Sequence, residues 1–363
     1  MQELDQLIGV ALAHQTERDW ESAGRAWEAV AARGVHTGQL GVSLQAWDRA
    51  GETWRRADLL RPASRALHQA LVLSGGAPAL AAMPRIKLAA TLGELGQYRA
   101  GCALCEEALQ HPLTEDQRAL ALDTWLGARV NLGEKWGTEG ALAELAALSP
   151  IAGAFRQVQR DHLDGALERA LDALDALIDT LSQTAGMEAG VAGATGERGE
   201  VLLLLGDAVE AEEAFSYAAE TLTALGRPSL TWRAEAGRAR AQLATGARPL
   251  TTSLEEGLAY AQRRELPMLE ADLLLVLAEV GGGTGGLERV IALCGESALR
   301  RGRAHLLLTQ RGRPGHSAAA LSGLSSSRTW YARAMLADGQ LAAARAAMEE
   351  MGMRLDLARL PTG

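Results

Sequence analysis

Apolar residues recur at three- and four-residue spacing almost throughout this chain, in stretches of about 12 to 18 residues. Short Gly, Pro or Asp signals separate the stretches. Runs of Val, Ile, Thr and Tyr alternating with polar residues are missing, so the pattern predicts helices and no sheet. Ala, Leu, Glu and Arg fill the stretches, and these are strong helix formers. Many similar helices in one chain imply a repeat array, so the period comes first.

The clearest unit runs from Trp47 to Gly75. It carries Trp47, Ala50, Gly51, Trp54, Asp58, Leu60, Ala63, Leu67, Ala70 and Leu71. Gly51 and Ala63 would let two helices cross closely, and Trp54 and Leu67 would fill the space between them. The second half of this unit recurs as Trp20, Ala23 and Trp27, and as Tyr98, Gly101, Cys105 and Ala108. It recurs again as Leu163, Ala166, Ala170 and Ala173, and as Leu341, Ala344 and Met348. Weaker copies lie near Trp136, Val209, Pro249 and Leu287. Anchors therefore fall at 20, 60, 98, 136, 163, 209, 248, 287 and 341, and the commonest interval is 38 to 40 residues.

This spacing of large and small residues resembles the tetratricopeptide repeat, with a period longer than the roughly 34 residues usual there. Trp47–Gly75 and Leu88–Leu113 match best. Longer helices of this sort also resemble the sensor arrays of bacterial regulators. The resemblance implies an all-α fold, a right-handed superhelical α-solenoid of eight or nine stacked antiparallel helix pairs. It also implies a concave face, lined mostly by the first helix of each pair, that receives a peptide or protein. Some members hold a peptide carboxylate with Lys and Asn side chains. This chain has two Lys (Lys87 and Lys135) and one Asn (Asn131), which argues against that clamp.

Three segments interrupt the period. Residues 185–199 are Gly-rich and read as a loop between an N-terminal subarray, 1–184, and a C-terminal one, 200–363. Gly281–Gly286 reads as a turn between two helices; it lacks the Lys and hydroxyl residue that a phosphate loop needs. Residues 309–327 are rich in Ser, Gly and Pro and read as a mobile loop.

Length and composition add boundaries. The chain has 363 residues, 48% of them hydrophobic, enough to fold without metal or disulfide staples. Three cysteines form no secreted disulfide framework. The acidic start MQELDQLIGV lacks the basic and apolar regions of a signal peptide, and no uncharged apolar run approaches a membrane span. The expectation is a cytoplasmic protein. Arg outnumbers Lys 34 to 2, which reads as a GC-rich bacterial genome.

Net charge is −9, which argues against a general nucleic-acid binder. The charge is uneven, however. Ser297–Ala337 holds seven arginines and no acid, and reads as a solvated face or a surface for an acidic partner. Asp161, Asp164, Glu168, Asp172, Asp175 and Asp179 are spaced by three and four and predict an acidic ridge on one helix. Such a ridge could dock a basic partner or the arginine block of a second copy, so self-association stays open.

No catalytic constellation is legible. Cys102 and Cys105 sit within a predicted helix where the repeat expects apolar residues, and Gly315–Ala319 falls short of a nucleophile elbow. No cofactor or metal is expected. The function expected is non-catalytic: a scaffold or adaptor, with a ligand- or peptide-sensing regulator and a subunit of a larger complex as alternatives. The tryptophans at Trp20, Trp27, Trp47 and Trp54 occupy signature places and are assigned to the core. Candidate partner-binding residues are then the polar first-helix positions Gln45, Arg49, Arg85, Arg129 and Arg233, together with Arg300, Arg301 and Arg303.

Overall fold

The structure, a computed structural model, describes residues 2–134, 139–249, 251–281 and 283–360. Among the described residues the chain is helical and has no strand. Contacts divide it into two compact units, Met1–Arg129 with Arg264–Leu266, and Val130–Arg263 with Pro267–Gly363.

In the first unit α1 (Gln2–Thr16) pairs with α2 (Trp20–His36), α3 (Leu40–Arg56) with α4 (Leu60–Leu73), and α5 (Pro78–Glu94) with α6 (Tyr98–Leu109). The division falls inside α7 (Glu115–Leu132). The second unit holds α8 (Glu139–Leu148), then α9 (Pro150–Asp164) with α10 (Leu167–Ser182), α11 (Glu188–Leu205) with α12 (Ala208–Ala224), and α13 (Pro228–Thr245) with α14 (Thr251–Arg263). It continues with α15 (Pro267–Gly281) and α16 (Leu287–Cys294), α17 (Ala298–Gln310) and α18 (Ser317–Leu324), α19 (Arg328–Ala337) and α20 (Leu341–Glu350), and a last turn, α21 (Arg354–Leu357). Short turns force consecutive helices to run antiparallel. The fold class is an all-α solenoid of stacked helix pairs, as the repeat predicts.

The anchors at Trp20, Leu60, Tyr98, Leu287 and Leu341 each begin the second helix of a pair. The anchor at Trp136 lies outside the described residues. The close crossing expected at Gly51 is present: a Cβ there would lie 2.4 Å from Cγ of Leu67, which is fully buried. Trp54 fills a different gap, over Gly24 of the preceding pair, and donates its indole N–H to Glu28 at 2.8 Å. Trp27 and Trp54 are buried, whereas Trp20 and Trp47 are only half-buried. The core of the second unit is aliphatic, built on Leu174, Leu181, Val201, Leu204 and Met348.

Three expectations are corrected. The anchor at Leu163 fails because α9 ends at Gly165, whose φ of +79° closes a left-handed cap; the next helix starts at Leu167. The Gly-rich stretch 185–199 is no loop from Glu188 onward, since α11 runs from there to Leu205 and buries Ala192, Ala194 and Gly199. The division between compact units falls at Arg129 instead. Residues 309–327 contain α18, which buries Ala320 and Leu324, and this helix completes a pair hidden in the longest interval. Gly281–Gly286 does join two helices, with Gly282 outside the described residues. No helix among the described residues is long and apolar enough to cross a membrane.

Candidate binding face of the second unit

The first helices of successive pairs in the second unit carry an alternating row of charges. Arg240 of α13 donates from Nη1 to both carboxylate oxygens of Glu200 on α11, at 2.7 and 2.6 Å. Its Nε lies 3.2 Å from Oε2 of Glu279 on α15. Arg303 of α17 donates to the other oxygen of Glu279 at 3.0 Å. The guanidinium of Arg303 stacks 4.4 Å from the ring centre of Trp330 on α19, and Arg333 stacks 4.5 Å from it. Arg333 then pairs with Asp356 of α21 at 2.7 Å. A parallel branch joins Arg233, Asp272 and Arg300, with Arg300 forking onto Asp272 at 2.7 and 3.0 Å.

These neighbours set the ionisation of the row. Burial alone would raise Glu200, Asp272 and Glu279, but the charges and hydrogen bonds of Arg240, Arg300 and Arg303 overcome it and hold all three below the usual carboxylate range. Burial likewise pushes His162 down, with Arg240, Arg333 and Arg303 adding to it and Glu200 opposing.

Glu197, one turn before Glu200 on α11, behaves differently. Its side chain reaches solvent, yet protein crowds it closely. That crowding and the charge of Glu200 push it up to about 7, against Arg156 and Arg233. A folded-state pKa raised above the unfolded value makes the folded chain hold more protons between about 4.5 and 7, so stability falls as pH rises through that window. Glu197→Gln is therefore expected to raise the melting temperature at pH 8 and to leave it nearly unchanged at pH 4.5. An equal shift at both pH values would show that the cost of the charge is not the cause.

The structure brings some of the sequence-predicted residues together. Arg233, Arg300 and Arg303 all belong to the charged row. Arg301 does not, because it donates to the carbonyl of Gly295 at 2.7 Å. The arginine block is no solvated face: besides the residues above, Arg311 donates to backbone carbonyls of Gly283 and Ala278, and Arg328 pairs with Glu350. The acidic ridge is also corrected. Asp161 and Asp164 lie on α9, before the turn at Gly165, and Asp161 is buried and accepts from Gln157 and Arg169. Glu168, Asp172, Asp175 and Asp179 remain exposed on α10, and Asp175 accepts from Arg198 at 2.7 Å.

The remaining candidates belong to the first unit. Gln45 is exposed, Arg85 pairs with Glu107, and Arg129 stacks 4.7 Å from the ring centre of Trp125. Arg49 stacks over Trp27 at 4.8 Å and borders a cavity of about 410 Å³ with Trp20, Glu52, Arg56 and Lys87. Glu200, Arg240, Glu279 and Asp356 escaped the sequence reading, and Arg333 entered it only as a member of the arginine block. A signal for several of them exists: opposite charges one repeat apart. Glu200 and Arg240 are 40 residues apart, and in the first unit Asp48 and Lys87, 39 apart, pair at 2.7 Å.

Among the described residues no group of three or more His, Cys, Asp and Glu is placed to hold a metal ion. Cys102 and Cys105 are both buried in α6, and burial pushes the Cys105 thiol up to about 12, far from a reactive thiolate. The arrangement offers ion pairing, stacking and hydrogen bonding.

The helix pairs and their repeat-spaced contacts define a tetratricopeptide-like helical-repeat fold. No family model and no curated protein matches the chain. Among solved structures it is similar in fold to a Rap protein complexed with competence and sporulation factor, at 13% identity and a TM-score of 0.60, over 97% of this chain and 100% of that one. The tetratricopeptide domain of P58(IPK) aligns at 13% identity and a TM-score of 0.34, covering 98% of this chain and 97% of that one. Yeast Tom70 aligns at 9% identity and 0.31, covering 99% and 77%.

Proposed function

We propose that this chain is a non-catalytic binding protein that receives a peptide or protein partner on the first-helix face of its second unit. The observation that carries the reading is the charged row from Glu200 through Arg240, Glu279 and Arg303 to Asp356. Helix packing alone calls for apolar and small residues at such positions. A line of ionic groups on one face instead supplies oriented donors and acceptors for another molecule's backbone and side chains. The Rap protein of like fold is described in complex with competence and sporulation factor, which supports a binding role for a chain of this fold.

The test is selection of peptides from a displayed random library on the full chain, with each peptide fused through its C-terminus. Arg233 and Glu197 reach solvent on this face, so Arg233→Glu and Glu197→Lys leave the core untouched. Selected peptides are expected to bind each variant at least about tenfold more weakly, a loss of about 1.4 kcal/mol. Peptides that bind both variants as well as the parent chain would place recognition elsewhere and overturn the reading.

A further inference from the structure

A cavity of about 250 Å³ opens at the C-terminal end of the charged row, and every residue lining it belongs to the second unit. Its walls carry five arginines, Arg240, Arg303, Arg311, Arg333 and Arg359, against two carboxylates, Glu279 and Asp356. Leu203, Leu243, Leu306, Leu307, Leu336 and Leu355 supply the apolar part of the lining, and Trp330 borders it. We infer that this cavity binds the carboxylate of a ligand carrying a short aliphatic group, the carboxylate meeting the arginines and the aliphatic part the leucines. The inference rests on the binding reading of the same face and narrows it to a ligand chemistry.

Three observations carry it. The first is a charge surplus. Counting Glu200, which pairs with Arg240 but does not line the cavity, five guanidinium groups still meet only three carboxylates. Excess positive charge beside low-dielectric walls attracts an anion. The second is unused hydrogen-bonding capacity. Arg359, exposed at the rim, pairs with no carboxylate among the described residues. A guanidinium without a carboxylate partner keeps its donors for an incoming carboxylate oxygen. The third is the mixture of walls. Glu279 and Asp356 repel a second negative charge, so a monoanion suits the site better than a phosphate dianion. At about 30 Å³ per water-sized group the cavity takes roughly eight such groups. That is close to one leucine unit with its terminal carboxylate, and the leucines favour an apolar body over a sugar or polyol.

Free small carboxylates and peptide C-termini share this chemistry, so the experiment separates them. The full chain is titrated with N-acetyl-leucine, N-acetyl-leucinamide, inorganic phosphate and the tripeptide acid acetyl-Ala-Ala-Leu. Tryptophan fluorescence of the parent is compared with that of Trp330→Phe, and melting temperature is followed in parallel. The acid is expected to saturate, to stabilise the chain, and to bind at least about tenfold more tightly than the amide. Arg359→Gln, at an exposed position, is expected to fold normally and weaken the acid severalfold, and added salt is expected to weaken it further. A tripeptide acid binding about tenfold tighter than the single residue identifies a peptide terminus as the ligand, and equal affinity identifies a small carboxylate. Equal binding of acid and amide, stronger binding of phosphate, or no saturation below roughly 10 mM acid would overturn the inference. Displayed peptides have no free C-terminal carboxylate. If they bind the face while the acids fail, the carboxylate site falls and the binding reading stands.

Discussion

Gly237→Val is expected to melt the second unit roughly 6–12 °C below the parent chain, at 2–4 °C per kcal/mol for a unit of this size. The cause is the seating of Phe215, which is 2% exposed and projects from α12 between α11 and α13. A Cβ at Gly237 would lie 2.2 Å from Cε1 and 2.5 Å from Cδ1 of that ring. The ring cannot swing away from α13, because on its other side a Cβ at Gly199 of α11 would already lie 2.9 Å from Cζ. Overpacking of this kind costs about 1–3 kcal/mol where neighbours can adjust, and trapping the ring between two backbones puts this site at or above the upper end. Gly193→Ala, on the same helix α11 with nothing within 4 Å, is the control. It should stabilise by about 0.5–1 kcal/mol, because it removes backbone freedom from the unfolded chain without a clash. Thermal denaturation of the two variants decides the matter. If Gly237→Val melts with the parent, α12 does not seat its ring between two glycines.

That same contact explains part of what the sequence concealed. Glycine signals a loop when read by composition, yet Gly199 is there because a helix crosses an aromatic ring at close range. The stretch 185–199 therefore reads as a linker, yet from Glu188 onward it is the first part of α11. The turn at Gly165 was hidden for a different reason. Acid spacing of three and four continues across the turn, so Asp161 and Asp164 seemed to share a helix with Glu168, although they precede the break. What was legible was local. Trp20, Leu60, Tyr98 and Leu341 each open a helix whose partner lies a few residues upstream, so a short window contains the whole signature. The candidate site was legible only in its arginines. Arg300 and Arg303 stood out as members of an acid-free block, but their carboxylate partners, Asp272 and Glu279, lie a helix pair away, so the block looked solvated.

Arg240→Met is expected to cost about 3–5 kcal/mol at pH 7, with a deficit that shrinks on acidification. Arg240 is 11% exposed at its side chain and serves two carboxylates from adjacent helices, Glu200 and Glu279. Methionine keeps most of the volume and removes the charge, leaving Glu200 without its forked partner and Glu279 with Arg303 alone. In the parent both carboxyls are held below their ordinary values, so their contribution is complete above about pH 4.5 and is lost as pH falls through their lowered folded values. In the variant, burial acts on Glu200 with its main opposition gone, which lifts that carboxyl above its unfolded value. The folded variant then holds the extra proton, so its stability relative to the parent rises on acidification from pH 7 toward 5. Urea denaturation at pH 7 and pH 5 measures both quantities. Adding Glu200→Gln to Arg240→Met should recover part of the loss at pH 7 and little at pH 5, because the glutamine mimics the protonated acid. A variant whose deficit is the same at both pH values would mean that Arg240 contributes packing alone, and that the row of charges on this face is not held together through it.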